Sequence, residues 1–425
     1  MINLFDYLAA KNIAGIITAF FLLIVLSYYY LLFLKVRKPE ITEMFSSITV
    51  IMPAHNEEKV IMQSLHAVLS ADFKGRKEIL VVDDGSIDKT AEIVSSFKKK
   101  GVILIRTSHC GKSSSINKAL KIAKGDVIAI VDADSCIHKD SLKEIVKELS
   151  RDNIAGASGV VRVKNRKRLL GMWMHIEQVY YSLIRLIFSK LNANINTPGP
   201  LSAYRKKALV EIGGFSTKGY AEDVDITIRL IRKGYQIGYA EDAIVDTYMP
   251  TDLKGFFRQR LRFARGTIDI LKRHMRANTS MIDVYTMPIL LFSYVQAVIM
   301  GVFTLYQIFS GYFTYFIAKG VYINFPVFKF FFEWFSIVGF IRWVISIING
   351  QTELTIITAI GILSTLLSYP LYLVAIYKFD KKFDIWHLIP IMFMFPFWIM
   401  IMVIYAISIP EYFKRNQYNI WKKNE

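Results

Sequence analysis

Carboxylates recur in this chain in small groups. His55, Asn56, Glu57 and Glu58 form one, Asp83 and Asp84 a second, Asp132 and Asp134 a third, and Glu222, Asp223 and Asp225 a fourth. Grouped carboxylates do two kinds of chemistry: they hold a hard divalent cation against phosphate oxygens, or one of them takes a proton. Each group alone reads as local structure, because turns use single Asp residues and helix first turns carry acids. Three of them in series, each at the end of an apolar run, read as a site. No G-x-x-x-x-G-K-[ST] or G-x-G-x-x-G loop follows a strand, so backbone amides are not expected to cradle phosphates. That leaves the work to a metal, and oxygen ligands select Mg²⁺ or Mn²⁺.

Something must bring these groups together. Residues 48–245 alternate short β-rich runs with amphipathic stretches, the pattern of an α/β domain with a mainly parallel sheet covered by helices. Strands are expected at 48–53, 78–84 and 127–134, with helices between them near 57–71, 88–100 and 113–124. Ligands of such sheets bind beyond the carboxyl ends of the strands, where the polar ends converge.

The rest of the chain is apolar. Hydrophobic residues make up 53% of its 425 residues, more than soluble enzymes carry. Residues 13–34 form an uncharged run longer than a signal-peptide core, followed at once by Lys35, Arg37 and Lys38. This is expected to be a retained anchor with the following domain in the cytoplasm. The expected organisation is an anchor at 1–36, a cytoplasmic catalytic domain at 37–250 and an interfacial amphipathic region at 251–282. A membrane region of about four segments at 283–410 and a basic cytoplasmic tail at 411–425 complete it. Lys378, Lys381 and Lys382 disagree with that count, because they would face outward; one segment is then re-entrant or interfacial.

The formal charge of +18 does not point to nucleic acid, because the basic residues lie beside apolar segments without interleaved aromatics. Anionic headgroups of a lipid bilayer and an anionic nucleotide are the expected partners. Cys110 and Cys136 are the only cysteines, too few for a disulfide framework or a thiolate zinc site. The sequence names no protein partner.

PAHNEE (53–58), DDGSID (83–88), GKSSSINKAL (111–120), DAD (132–134), GPLSAYR (199–205), AEDVD (221–225) and QRLRF (259–263) follow one another in order. Together they resemble the processive family 2 glycosyltransferases, which include hyaluronan, chitin, cellulose and poly-N-acetylglucosamine synthases. The resemblance implies a GT-A fold, a UDP-sugar donor, a polysaccharide acceptor and inversion at the anomeric carbon. By it, Asp84 and Asp132 hold the uridine and ribose end of the donor, Asp134 the metal, and Lys112 the nucleotide or its phosphates. Asp223 is the general base, with Glu222 beside it, and Gly199 belongs to the acceptor-side motif. Gln259 and Arg262 meet the diphosphate and acceptor, and Phe263 stacks on the acceptor sugar. Two positions depart from the pattern: Phe263 stands where Trp is usual, and Ser135 where His or Thr often follows the metal motif. Phenylalanine keeps a flat apolar face but lacks the indole donor.

Helical spacing at 169–191 marks either a second interfacial helix or a buried one. Glu333 and Arg342 lie in the apolar region and should face each other, a polar interior or the interface. The expected activity is repeated sugar addition to an exported polysaccharide; the alternative is a single sugar added to a lipid carrier. A transporter with a nucleotide-binding domain is a third reading, and the spans show no transporter repeat.

Overall fold

The computed structural model describes residues 4–380 and 385–414. Lys381, Lys382 and Asp384, and most of the basic tail, lie outside them.

Among the described residues, eight strands form one sheet: β1 (Ser47–Ala54), β2 (Arg76–Asp84), β3 (Val102–Thr107), β4 (Val127–Ile130), β5 (Ser135–Ile137), β6 (Ile154–Val163), β7 (Ser202–Arg205) and β8 (Gln236–Thr247). Their order is β3-β2-β1-β4-β7-β6-β8-β5. The first four in that order are parallel, as the sequence leads one to expect; beyond β4 the sheet is mixed, with β4–β7, β7–β6 and β8–β5 antiparallel and β6–β8 parallel. β1 is buried along its whole length, which explains why it reads as a continuous apolar run. The strand expected at 127–134 stops at Ile130, because β4 is central and β5 lies at the far edge. The chain must leave the sheet between them, and that departure makes residues 131–134 a loop.

Helices α1 (Leu4–Phe33), α2 (Ile61–Ser70), α3 (Thr90–Ser96), α4 (Lys112–Ile122), α5 (Ser141–Leu149), α6 (Leu169–Ser189), α7 (Lys206–Glu211), α8 (Glu222–Arg232) and α9 (Leu253–His274) accompany the sheet. After them come α10 (Met287–Tyr315), α11 (Phe325–Phe335), α12 (Ile337–Ile348), α13 (Ile356–Asp380), α14 (Leu388–Met392) and α15 (Met394–Lys414). One face of the sheet packs Val50, Val81 and Ala129 with α2 and α5, and the other packs Ile51, Leu80 and Ile128 with α4 and α8. A separate apolar cluster joins α6 and α9 to α1, α13 and α15.

Among the described residues, four helices are long and apolar enough to cross a membrane: Asn12–Phe33, Ile282–Lys319, Ile356–Asp380 and Met394–Phe413. α11 and α12 make a further bent pair, turned by 92°, within which Glu333 and Arg342 pair with each other. Lys378, which a plain four-span count would turn outward, pairs with Glu241 at the end of the first half of β8, 2.6 Å away. The end of α13 therefore rests on the sheet domain. The Lys190 ammonium donates to the carbonyls of Leu31, Leu32 and Leu34 at 2.8–2.9 Å, satisfying the orphan acceptors at the end of α1. Asp380 closes a similar join, accepting both carboxylate hydrogen bonds from Arg166 at 2.9 and 3.0 Å.

Candidate active site

Three of the four acidic groups stand at the carboxyl ends of β2 and β4 and the start of α8. Asp84, the last residue of β2, is wholly buried. Its Oδ1 accepts from Thr107 Oγ1 at 2.6 Å and the Cys110 amide at 2.8 Å, and its Oδ2 from the Gly111 amide at 2.8 Å. Burial works against the ionised Asp84, and these hydrogen bonds more than offset it, holding its carboxyl below the usual range. The carboxylate thus orders the loop before α4. Gly111 has φ +87°, a left-handed conformation that suits glycine, and it delivers Lys112 to the first position of α4.

Lys112 Nζ lies 2.6 Å from Asp132 Oδ1 and 3.5 Å from Glu222 Oε1. One ammonium therefore ties the loop after β4 to the first turn of α8. Burial disfavours its charge, but Asp132 and Glu222 outweigh burial and raise its pKa. Gly199 passes directly over this pair: a Cβ there would come 2.5 Å from Lys112 Nζ and 2.7 Å from Asp132 Oδ2. Burial, together with the neighbouring Asp134 charge, raises the Asp132 carboxyl despite Lys112. Asp134 Oδ1 accepts from Ser135 Oγ at 3.2 Å and Thr247 Oγ1 at 3.4 Å, and its carbonyl accepts from the Tyr248 amide at 3.1 Å. Two carboxylates two residues apart, the charge of one raising the carboxyl of Asp132, are a donor set a hard divalent cation relieves.

On α8, Asp223 Oδ1 accepts from the Val224 amide at 2.9 Å, as the exposed donors of a helix start favour. Burial first, then the adjacent Glu222 charge, push the Asp223 carboxyl up to about 6, with Lys112 and Arg262 opposing. Burial also raises Glu222, but Lys112 and Arg262 reverse the sign and leave it lowered. The third acid of this turn is different. Asp225 accepts from Arg229 at 2.8 Å, Arg273 at 2.6 Å and His274 at 2.9 Å, so it fastens α8 to α9.

α9 starts at Asp252, whose carboxylate caps the Gly255 amide at 2.7 Å. Gln259 Nε2 reaches Met249 Sδ at 3.4 Å, while its buried Oε1 has no hydrogen-bond partner. Arg262 brings its charge to bear on Glu222 and Asp223. Phe263 is 40% exposed, with the guanidinium carbons of Arg260 and Arg262 at 5.6 and 5.4 Å from its ring. Lys112, Asp132, Gly199 and Glu222 are thus in contact, Asp134, Asp223 and Arg262 are electrostatically joined to them, and Asp84 stands behind. Sequence reasoning missed Arg260 and Glu177, which pair between α9 and α6. It also missed Thr197, which bonds Tyr204 and Thr227, each at 2.6 Å, under the Asp223 carbonyl. Neither carries a local sequence signal, since their partners are remote or ordinary.

Residues 49–213 match the family model for glycosyl transferase family 2. A probable glycosyltransferase of Bacillus subtilis strain 168, YdaM, is 36% identical over 232 residues, 52% of this chain and 54% of that one. The poly-beta-1,6-N-acetyl-D-glucosamine synthase of Staphylococcus aureus strain COL is 30% identical over 244 residues, 56% of this chain and 58% of the synthase. The chain thus matches little more than half the length of these relatives. A mannosyltransferase of Pyrobaculum calidifontis, solved in complex with GDP-Man and Mn²⁺, superposes with a TM-score of 0.58 at 20% identity, covering 88% of this chain and all of that one. The fold is of the GT-A type, a mixed sheet with helices, flanked here by apolar helices.

Proposed function

We propose that this chain, whose residues 49–213 form a family 2 glycosyltransferase domain, polymerises sugar from a UDP-sugar donor into a polysaccharide and passes the product outward across the membrane. The observation that carries the reading is the Lys112 bridge from Asp132 to Glu222, which sets a carboxylate pair and a raised-pKa carboxyl around one ammonium. Asp223 accepts the proton of the acceptor hydroxyl as that oxygen attacks the anomeric carbon from the face opposite the diphosphate. The bond to the diphosphate breaks, and the nucleoside diphosphate leaves with the electron pair. A carboxyl near 6 is ionised at neutral pH yet more basic than an ordinary aspartate, which suits a base.

Asp134, with Asp132, would hold Mg²⁺ or Mn²⁺, whose charge stabilises the departing diphosphate. Lys112 and Arg262 add fixed positive charge, and Phe263 offers the acceptor sugar a flat apolar face. The polymer reading draws on the likeness to a poly-N-acetylglucosamine synthase and on the apolar helices after α9, which also support a multi-pass membrane location, and Lys35, Arg37 and Lys38 after the first apolar run support a cytoplasmic catalytic domain. Incubating the purified chain with radiolabelled nucleotide sugars and sizing the product tests it. A ladder of lengths supports polymerisation, whereas one lipid-soluble product means a single transfer to a lipid carrier.

A further inference from the structure

Arg260 and Glu177 are among the most deeply enclosed charges of the chain, 5% and 1% exposed. They meet fork to fork: Arg260 Nη1 donates to Glu177 Oε1 at 2.9 Å, and Nη2 to Oε2. Such bidentate pairing fixes angle as well as distance. The same guanidinium faces three rings, Phe256 at 5.2 Å, Phe263 at 5.6 Å and Phe397 at 5.9 Å. Glu177 belongs to α6, Arg260, Phe256 and Phe263 to α9, and Phe397 to α15. One planar cation therefore joins three helices, and one of the rings it orders is the half-exposed Phe263.

From this geometry we infer that Arg260, held by Glu177, is a positioning residue that sets the Phe263 ring, and with it the place of the acceptor sugar. The inference rests on the proposed function, in which Phe263 meets the acceptor. Arg262 cannot do this work alone. It lies against the Phe263 ring at 5.4 Å while its charge acts on Glu222 and Asp223, and its own place depends on the rotation of α9. The Glu177–Arg260 fork fixes that rotation against α6. A helix rotated about its axis displaces a side chain by an ångström or more, and displacement of that size costs on the order of 100-fold in a reaction that needs two substrates aligned. Neither Arg260 nor Glu177 is assigned to the donor, and Phe263 meets the acceptor sugar, so displacement of that ring falls on transfer to the acceptor.

The test separates those two steps in the full chain, reconstituted in lipid nanodiscs. Radiolabelled UDP-N-acetylglucosamine, UDP-glucose and GDP-mannose are supplied in turn, and both released nucleoside diphosphate and label in polymer are measured. Glu177→Gln removes one charge and keeps the shape. The double variant Glu177→Met, Arg260→Met replaces the pair by apolar groups of similar size, a change that buried ion pairs commonly tolerate in folding. In either variant the inference expects polymer label per nucleoside diphosphate released to fall by at least about tenfold, because donor cleavage continues with water as acceptor. An unchanged ratio, whether both quantities hold or both decline together, overturns it and leaves the pair a packing element. If the wild type releases no nucleoside diphosphate from any donor, the proposed function fails first, and the inference with it.

Discussion

Lys112 Nζ and Asp132 Oδ1 stand 2.6 Å apart, although twenty residues and a whole helix separate them in the chain. The pair is closed in by Gly199 and extended to Glu222. Removing the ammonium leaves two carboxylates facing each other in a mostly buried place. Lys112→Met is expected to lower donor turnover by about 100-fold or more, and to destabilise the fold by roughly 3 kcal/mol as a broken buried pair does. Nucleoside diphosphate release and thermal unfolding measure the two effects.

Gly199→Ala separates function from stability. The atoms a methyl group would strike are the ends of two side chains, Lys112 Nζ and Asp132 Oδ2, which can swing away without moving backbone. Unfolding should change by less than about 1 kcal/mol, while the displaced pair reduces donor turnover several-fold. Steady-state kinetics with varied donor concentration, beside a melting curve, checks both.

Asp223 sets the acid limb of the pH profile. A base works only when ionised, and with its carboxyl at about 6 the ionised fraction falls to about a tenth one unit lower. The transfer rate should therefore decline as pH drops through 6 and level off above 7. Asp223→Asn should lose on the order of 10²–10⁴ in rate and leave no such limb in the pH profile.

Chelation is expected to abolish nucleoside diphosphate release, and Mn²⁺ or Mg²⁺ to restore it. Asp134→Asn should raise the metal concentration needed for half-maximal rate, read from a metal titration of the turnover. Undiminished release under exhaustive chelation would remove the metal from the mechanism.

Asp225 predicts a stability effect in place of a chemical one. Burial works to raise its carboxyl, but His274, Arg229 and Arg273 together lower it. A carboxyl lowered in the folded state stabilises above its unfolded value near 4 and loses that contribution as pH falls through its folded value. Asp225→Asn should therefore lower the melting temperature at pH 7, and the difference from the wild type should shrink below about pH 4. Parallel melting curves over that range decide it.

How far the sequence reaches can be judged from particular elements. β1 and β2 are legible because a strand buried on both faces needs an unbroken apolar run. Residues 131–134 are equally apolar in part, yet they are loop, since strand order is a property of the whole sheet. Within the site, the ordered motifs locate Lys112, Asp132 and Glu222 but not their mutual contact, which depends on the lengths of the connections. The hydrogen bonds that Asp84 accepts from Thr107 and from the Cys110 and Gly111 amides are not legible in the sequence, since backbone donors carry no side-chain signal. Likewise, Arg260 and Arg262 look interchangeable in QRLRF. Helical geometry turns them 200° apart, and only the position of α6 decides which meets Glu177.

The ammonium of Lys190 closes the end of α1 through three carbonyls at once. A span of fixed length must tilt or shift when the surrounding hydrocarbon thickens or thins, and with α1 as the proposed first span that movement is tethered to α6. On the proposed membrane reading, lipid tail length thus becomes a mechanical load on the sheet domain, pulling it through the first helix in opposite senses in short-chain and long-chain bilayers.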